Sequence, residues 1–307
     1  MTAAMTDAFT RNRPYLLSFA YRMTGSLAEA EDIVQDVFLE ATRVDASAIE
    51  NPKAWLTKVC SNKALDHLKQ AYRHREAYPG TWLPDAVPDS YRFWGSLDET
   101  ATPEATVLQA ESLTTSFLLL AERLSPEERV VYLLAEVLEY SFKDVATFLD
   151  KTDAACRKLA QRARDALLTD RPRFDHDPTA AQAAIARFFD SAKRGDRDAI
   201  RALLADGAEL WMDGGGKAST FAKHVVTDPT QIAFFFSLPK VAASLSSPAL
   251  KVELTSVNGL PGMLWSKQDA AGLWTFESIL TFELVDGKLS RLYVQRNPDK
   301  LGTLLRR

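Results

Sequence analysis

Only two cysteines occur in the 307 residues, Cys60 and Cys156, far apart and each inside a helical pattern. That excludes a disulfide framework. Neither thiol has the spacing of a metal ligand set, so both read as small buried apolar groups, and no metal or cofactor is expected. Long hydrophobic runs are missing too: none approaches the ~20 residues of a membrane span. The segment MTAAMTDAFTRNR lacks the apolar stretch of a signal peptide. No membrane association is expected, and the cytoplasm is the expected compartment. Charge is nearly balanced, with 37 Lys/Arg against 41 Asp/Glu and a net charge of −4. Taken whole, that balance argues against a nucleic-acid partner.

Resolved along the chain, the charge reads differently. Residues 53–75 carry six Lys/Arg against one acid, a local +5, and residues 151–173 carry seven against three, a local +4. Between them, residues 80–112 carry six acids against Arg92 alone, a local −5. Two basic patches of this kind attract phosphate and release counterions even in an acidic protein.

The more C-terminal patch contains the most informative segment, SFKDVATFLDKTDAACRKLAQRAR, residues 141–164. Ser141 can cap a first helix whose apolar set is Val145, Ala146, Phe148 and Leu149. Asp150-Lys151-Thr152-Asp153 interrupts the pattern, and Thr152 or Asp153 can cap a second helix. That helix turns Cys156, Leu159, Ala160 and Ala163 inward and leaves Arg157, Lys158, Gln161, Arg162 and Arg164 on its other faces. A short turn followed by a basic helix predicts a helix-turn-helix, whose second helix enters the DNA major groove. An ordinary helical hairpin with a solvated basic face has the same pattern.

The surrounding organisation supports several domains. Residues 6–76 read as helical, with Gly25-Ser26 breaking a first helix from a second over 27–43. The second helix places Ala30, Ile33, Val34, Val37, Phe38 and Ala41 on one stripe and Glu31, Asp32, Gln35, Asp36 and Glu40 opposite. A third helix over 53–75 follows the loop VDASAIENP, with Trp55, Leu56, Val59, Cys60, Ala64 and Leu68 as its core set. Residues 77–104 form a proline-punctuated acidic linker whose Trp82, Leu83, Tyr91, Phe93 and Trp94 are unusual for a spacer and imply packing. Residues 105–168 are helical again, with Ser125-Pro126-Glu127-Glu128 as a helix start. After Pro172 come one or two helices over 179–205. Short strands follow over 208–296, with Asp286-Gly287 as a hairpin turn. Helices followed by hairpin-linked strands predict a separate α+β domain.

These segments carry a family resemblance. AYRMTGSLAEAEDIVQDVFLEATR and NPKAWLTKVCSNKALDHLKQAYRHRE resemble region 2 of an RNA polymerase sigma factor of the extracytoplasmic-function type. LSPEERVVYLLAEVLEYSFKDVATFLDKTDAACRKLAQRAR resembles region 4. The remainder resembles a SnoaL-like domain, an α+β cone of the nuclear-transport-factor-2 superfamily. A subgroup of these sigma factors carries that domain fused at the C-terminus, and three of its signatures are present: Trp82-Leu83-Pro84, Asp213-Gly214-Gly215-Gly216-Lys217 and Asn297-Pro298-Asp299-Lys300-Leu301. Asp85-Ala86 stands where that subgroup has Glu-Pro. The resemblance implies a multidomain chain: region 2, an all-α bundle, over 1–76; a linker over 77–104; region 4 over 105–170; and the α+β cone over 174–307.

Functional expectations follow from it. Core RNA polymerase and promoter DNA are the implied partners, with the cone open to a small-molecule ligand. Asp32, Gln35, Asp36 and Glu40 correspond to the polymerase-binding face, where an acidic and amide surface suits an Arg-rich partner. Lys58, Asn62, Lys63, His67 and Lys69, with Asp66, lie on the helix that captures the minus-ten element as single strand. Asn62 can read a base edge or hydrogen-bond a neighbouring loop. Arg157, Lys158, Gln161, Arg162 and Arg164 would face the minus-thirty-five groove, with Arg164 the phosphate contact. The three signatures imply an interdomain regulatory role, the C-terminal domain docking near Trp82-Leu83-Pro84. The competing reading is a SnoaL-like small-molecule enzyme with an appended DNA-binding region. Asp213 and His224 are its acid/base candidates, and Phe188, Trp211, Phe234, Trp265, Trp274 and Phe276 line its cone. Under the sigma-factor reading no catalytic residue is expected.

Overall fold

The computed structural model describes residues 3–45, 49–75, 78–91, 108–168 and 178–302. The chain divides into two units, one made of residues 1–77 and 90–171, the other of residues 78–89 and 172–307. The stretch read as one linker is thus split: its first half folds with the C-terminal unit. Phe93 and Trp94 lie outside the described residues.

In the first unit, α1 (Ala3–Thr24), α2 (Leu27–Arg43) and α3 (Pro52–Arg75) pack against one another. Gly25, at φ +68°, ends α1 where a side chain would strain the backbone, and Ser26 caps α2 by accepting from the Glu29 amide. The interior takes Leu16, Phe19 and Met23 from α1, Ile33, Val34 and Val37 from α2, and Leu56, Cys60, Ala64 and Leu68 from α3. Trp55 and Val59, expected in that core, are only half-buried.

After a helical stretch over 108–111, the second helical group continues with α4 (Thr115–Ala121) and α5 (Pro126–Tyr132), followed by a π-helical turn over Leu133–Val137. It ends with α6 (Phe142–Leu149) and α7 (Asp153–Leu168). A complete capping box starts α5, the Ser125 hydroxyl and the Glu128 carboxylate each serving the other's backbone N–H.

The two groups meet within this unit. Arg22 is fully buried and donates from Nε to Ser112 Oγ at 2.7 Å and from Nη2 to the Gln109 carbonyl at 2.9 Å. Desolvation lowers its guanidinium to about 9. Arg129 donates to the Met23 carbonyl at 2.6 Å and pairs with Glu122. The hydroxyls of Tyr15, Thr57 and Tyr140 form a triangle of 3.2 Å contacts.

The C-terminal unit is built on a five-stranded sheet in the order β1-β5-β4-β3-β2. Its strands are β1 (Leu204–Asp213), β2 (Leu250–Val257), β3 (Leu260–Gln268), β4 (Trp274–Val285) and β5 (Lys288–Gln295). β1 runs parallel to β5 and the other pairs are antiparallel. The β4–β5 hairpin turns at Asp286 and Gly287, both at positive φ, as a two-residue primed turn requires. Helices α8 (Pro178–Arg194), α9 (Arg197–Leu203), α10 (Pro229–Ser237) and α11 (Pro239–Leu245) bury their apolar side chains with one face of the sheet. There Phe188 meets the rings of Phe236 and Phe282 edge-on at 4.9 and 5.6 Å. The other face carries a smaller cluster of Val257, Leu264, Ile279 and Phe276, closed by Ala86 and by Leu301 of α12 (Pro298–Leu301).

Candidate functional site

The second helix of the helix-turn-helix forms as its spacing predicts. Asp150, in the left-handed region at φ +52°, ends α6, and the Thr152 hydroxyl accepts from the Ala155 amide to start α7. Cys156, Leu159, Ala160, Ala163 and Leu167 are buried, which leaves Arg157, Lys158, Gln161 and Arg162 exposed. Acids lie beside most of these cations. Arg157 Nε is 2.5 Å from Asp153, and its guanidinium lies over the Phe142 ring at 4.7 Å. Arg162 Nε is 3.0 Å from Glu128, the capping-box residue of α5. Gln161 donates to Asp165 at 2.8 Å. Arg164, expected at phosphate, is half-buried, pairs with Glu136 at 3.3 Å and donates to Gln161.

On α3 the candidates separate. Lys58 and Lys69 are exposed. Lys63 pairs with Glu40 of α2 at 3.3 Å, and His67 lies 3.3 Å from Glu29. The Asn62 amide donates to the Phe148 carbonyl of α6 at 3.2 Å. In this conformation Asn62 therefore serves the contact between the two helical groups. On α2, Asp32, Gln35 and Asp36 are exposed together, while Glu40 is half-buried by its Lys63 pairing.

The three short signatures converge on one place in the C-terminal unit. Residues 78–89 form a strap over the sheet face opposite helices α8–α11, with Leu83, Ala86 and Val87 buried. Its anchor is Asp213, the last residue of β1, which is fully buried. The Asp213 carboxylate accepts from the Tyr78 hydroxyl at 2.6 Å, the Leu83 amide at 3.0 Å and the Gly215 amide at 2.9 Å. It also faces the Lys300 ammonium at 2.7 Å. Lys300 in turn donates to the Leu83 carbonyl and lies over the rings of Tyr78 and Trp82, at 5.0 and 4.6 Å. Asn297 caps α12 with its side-chain oxygen and donates from its amide to the Tyr78 hydroxyl. Burial, then the hydrogen bond to the Asp213 carboxylate, raises the Tyr78 phenol well above its ordinary value.

The glycines are a steric requirement of this anchor. A side chain on Gly215, at φ +59°, would fall on Asn297; one on Gly216, at φ +70°, would come within 2.8 Å of the Pro79 ring. The exposed pair Lys217–Asp299, at 2.5 Å, links the two signatures across the surface. Further along the strap, Asn258 donates to the Asp85 carbonyl and accepts from the Val87 amide, both at 3.0 Å. Tyr78, Asn258 and Gln295 were not singled out from the sequence. Each is a lone polar residue whose partner lies more than a hundred positions away, so no local pattern marks it.

These positions revise the enzyme reading. Asp213 holds the strap through both carboxylate oxygens and does not stand open in the cone. His224 is exposed. Of the proposed cone lining, only Phe188 and Trp265 join the core under the helices. Phe276 belongs to the opposite cluster, Trp211 pairs with Tyr293 and Glu209 on that opposite face, and Phe234 and Trp274 are exposed. For Trp211, strand alternation decides this, since its neighbours Leu210 and Met212 face the core under the helices. Among the described residues no cluster of His, Cys, Asp and Glu could hold a metal ion, and no helix is long and apolar enough to cross a membrane.

Comparison with known proteins agrees with this architecture. The Sigma-70 region 2 family matches residues 8–74 and the Sigma-70 region 4 family residues 115–167. The extracytoplasmic-function (ECF) RNA polymerase sigma factor SigJ of Mycobacterium tuberculosis is 34% identical over 95% of this chain and 91% of its own length. The probable ECF sigma factor SigI of the same organism is 27% identical over 98% of this chain and 96% of its own length. The crystal structure of M. tuberculosis SigJ superposes with a TM-score of 0.72 at 31% identity, covering 97% of this chain and 98% of that one. With both sigma regions matched and the likeness running through the α+β unit, the chain belongs to the extracytoplasmic-function RNA polymerase sigma factors.

Proposed function

We propose that this chain binds core RNA polymerase through the exposed Asp32, Gln35 and Asp36 of α2 and brings it to a two-part promoter. α7 reads the upstream element in the major groove, and α3 with its preceding loop takes the downstream element as single strand. One observation carries the reading: Arg157, Lys158, Gln161 and Arg162 are exposed on α7, the second helix of a capped helix-turn-helix. The Arg157–Asp153 pair lies at the surface, where pairing is weak in water and gives way to a phosphate backbone of higher charge density. The Asn62–Phe148 bond and the hydroxyl triangle hold the two helical groups together. Lys58 and Lys69 of α3 are exposed as the helix stands, whereas presenting Asn62 to a base involves giving up its bond to Phe148.

The C-terminal unit acts as a built-in regulator whose lever is the strap, since residues 78–89 lie in the connection between the two helical groups. Whatever holds or releases them changes the length of free chain between regions 2 and 4. Run-off transcription with core polymerase tests both halves. The full chain is expected to support promoter-dependent initiation, and an Arg157→Ala/Arg162→Ala chain to lose it while still binding core. Trp82→Ala or Asp213→Asn in the full chain is expected to change transcript yield. Absence of promoter-dependent transcripts overturns the first half; unchanged yield in both strap variants overturns the second.

A further inference from the structure

The two edges of the sheet differ. At the β1 edge, Leu210 exchanges both backbone hydrogen bonds with Val226, at 2.8 and 3.0 Å. At the β2 edge, the strap covers only the end of the strand: Asp89 N donates to the Ser256 carbonyl and Asn258 N to the Val87 carbonyl. The stretch Leu250–Leu254 lies beyond that cover at the end of the strand order. The direction of its backbone follows from the ladder. Ala249 accepts from Gln268, so odd-numbered residues bond inward to β3 and even-numbered ones face outward, as Ser256 and Asn258 confirm. Leu250 N–H is taken by the Ser247 carbonyl. The outward groups with no backbone partner among the described residues are therefore the Leu250 carbonyl and both groups of Val252 and of Leu254. Such a row is a template for another strand.

The side chains on this stretch are self-complementary. We propose that β2 pairs antiparallel with β2 of a second copy of this chain, about a two-fold axis at Val252. In that register Val252 faces its own counterpart as a hydrogen-bonded pair, exchanging two N–H···O bonds. Leu254 N–H donates to the Leu250 carbonyl of the other copy, and symmetry repeats the bond, making four in all. Lys251 falls opposite Glu253 in the non-hydrogen-bonded pairs, where side chains approach most closely. These two residues already pair along the strand at 3.0 Å and are well exposed, so both charges are available to the second copy. Leu254, 63% exposed, falls opposite Leu250 on the face that Leu250 and Val252 share with the main core. A shift of one residue would set inward-bonded groups against each other, and a shift of two would move Lys251 off Glu253. The hydrogen-bond parity, the charges and the exposed leucine select the same register. The contact is isologous and closes as a dimer, joining two sheets into one. Five residues a side make a small interface, so the dimer forms with increasing concentration and does not persist at high dilution.

Sedimentation equilibrium of the full chain over a concentration series tests this. The wild-type chain is expected to show a monomer–dimer equilibrium. Val252→Pro removes an N–H that the β2–β3 ladder does not use, and is expected to abolish dimerisation with the circular dichroism spectrum retained. Glu253→Lys opposes Lys to Lys twice by symmetry, and Lys251→Glu opposes Glu to Glu twice. Each is expected to weaken the dimer roughly tenfold. An equimolar mixture of the two single variants is expected to restore it as a heterodimer. A structural effect within one chain would not produce that result, since each chain still carries like charges at 251 and 253 where the wild type has its own pair. A wild-type chain that is monomeric throughout overturns the proposal. So does a dimer indifferent to Val252→Pro, or one whose single charge variants are not rescued by mixing them.

Discussion

Lys300 holds its ammonium 2.7 Å from the Asp213 carboxylate, with the two side chains 11% and 0% exposed. Lys300 reaches both the strap backbone and the β1 end, through the Leu83 carbonyl and Asp213. Asp213→Ala would leave this ammonium buried without its counter-charge and take the acceptor from the Tyr78 O–H and the Leu83 N–H. A loss of about 3–5 kcal/mol is expected in urea unfolding of the C-terminal unit, with the strap cut earlier in limited proteolysis. Wild-type unfolding and cleavage would remove Asp213 as the anchor.

The glycine signature can be dissected by comparison within the same unit. Gly215→Ala sets a side chain against Asn297 in a left-handed backbone, whereas Gly287→Ala has the same backbone problem, φ +70°, in open space. The Gly287 variant is expected to cost about 1 kcal/mol from backbone conformation alone, and the Gly215 variant clearly more, about 2–4 kcal/mol. Equal losses in thermal unfolding would mean that contact with Asn297 is unimportant.

The α7 surface makes a prediction about charge release. Glu128 uses one carboxylate oxygen for its capping box and the other for Arg162. Glu128→Gln keeps an acceptor for the cap and removes the charge beside Arg162. Promoter affinity is expected to rise a few-fold, with a steeper salt dependence. Arg162→Ala is expected to weaken it by about 1–3 kcal/mol if the residue meets a base, or with a shallower salt slope if it meets phosphate. Unchanged binding in both variants would separate Arg162 from DNA recognition.

Asp36→Arg probes the polymerase face. Asp36 is exposed, so helix content and thermal stability should stay near wild type. Holoenzyme formation, measured by co-sedimentation with core polymerase, is expected to fall because the variant sets like charge against a basic partner. Normal core binding by the folded variant would reject this face.

Burial pushes the Cys60 thiol up to about 12, whereas a free thiol ionises near 8.5. Between those values the folded chain keeps a proton that the unfolded chain loses. Stability from this group is therefore intact at pH 8 and falls as pH rises, by up to ~1.4 kcal/mol per unit. Tyr15, raised by desolvation, acts in the same direction above the ordinary phenol range. Urea midpoints should drop between pH 8 and about pH 10.5, less steeply for Cys60→Ala. Neither cysteine should react with a thiol reagent at pH 8 before unfolding, since both are buried.

What the amino-acid order determined by itself was local. Gly25 and Ser26 mark a helix junction, Ser125 with Glu128 a capping box, and Asp286-Gly287 a hairpin. In each case the residue's own dihedral or hydrogen-bonding chemistry decides the matter within four positions. The apolar sets of α2, α6 and α7 were legible for a related reason, since a stripe at helical spacing has only one side to bury. Tertiary structure alone decided which partners the polar residues take. Asp213 read as an acid/base candidate until the Tyr78 hydroxyl and Leu83 amide, 135 and 130 positions away, closed on it. Asn62 could serve a base or a carbonyl equally well, and Phe148 took it. Trp211 and Phe276 could have lined the cone until strand register turned them to its other face. A buried polar group must find a partner, but sequence spacing carries no record of which distant group will be brought within 3 Å.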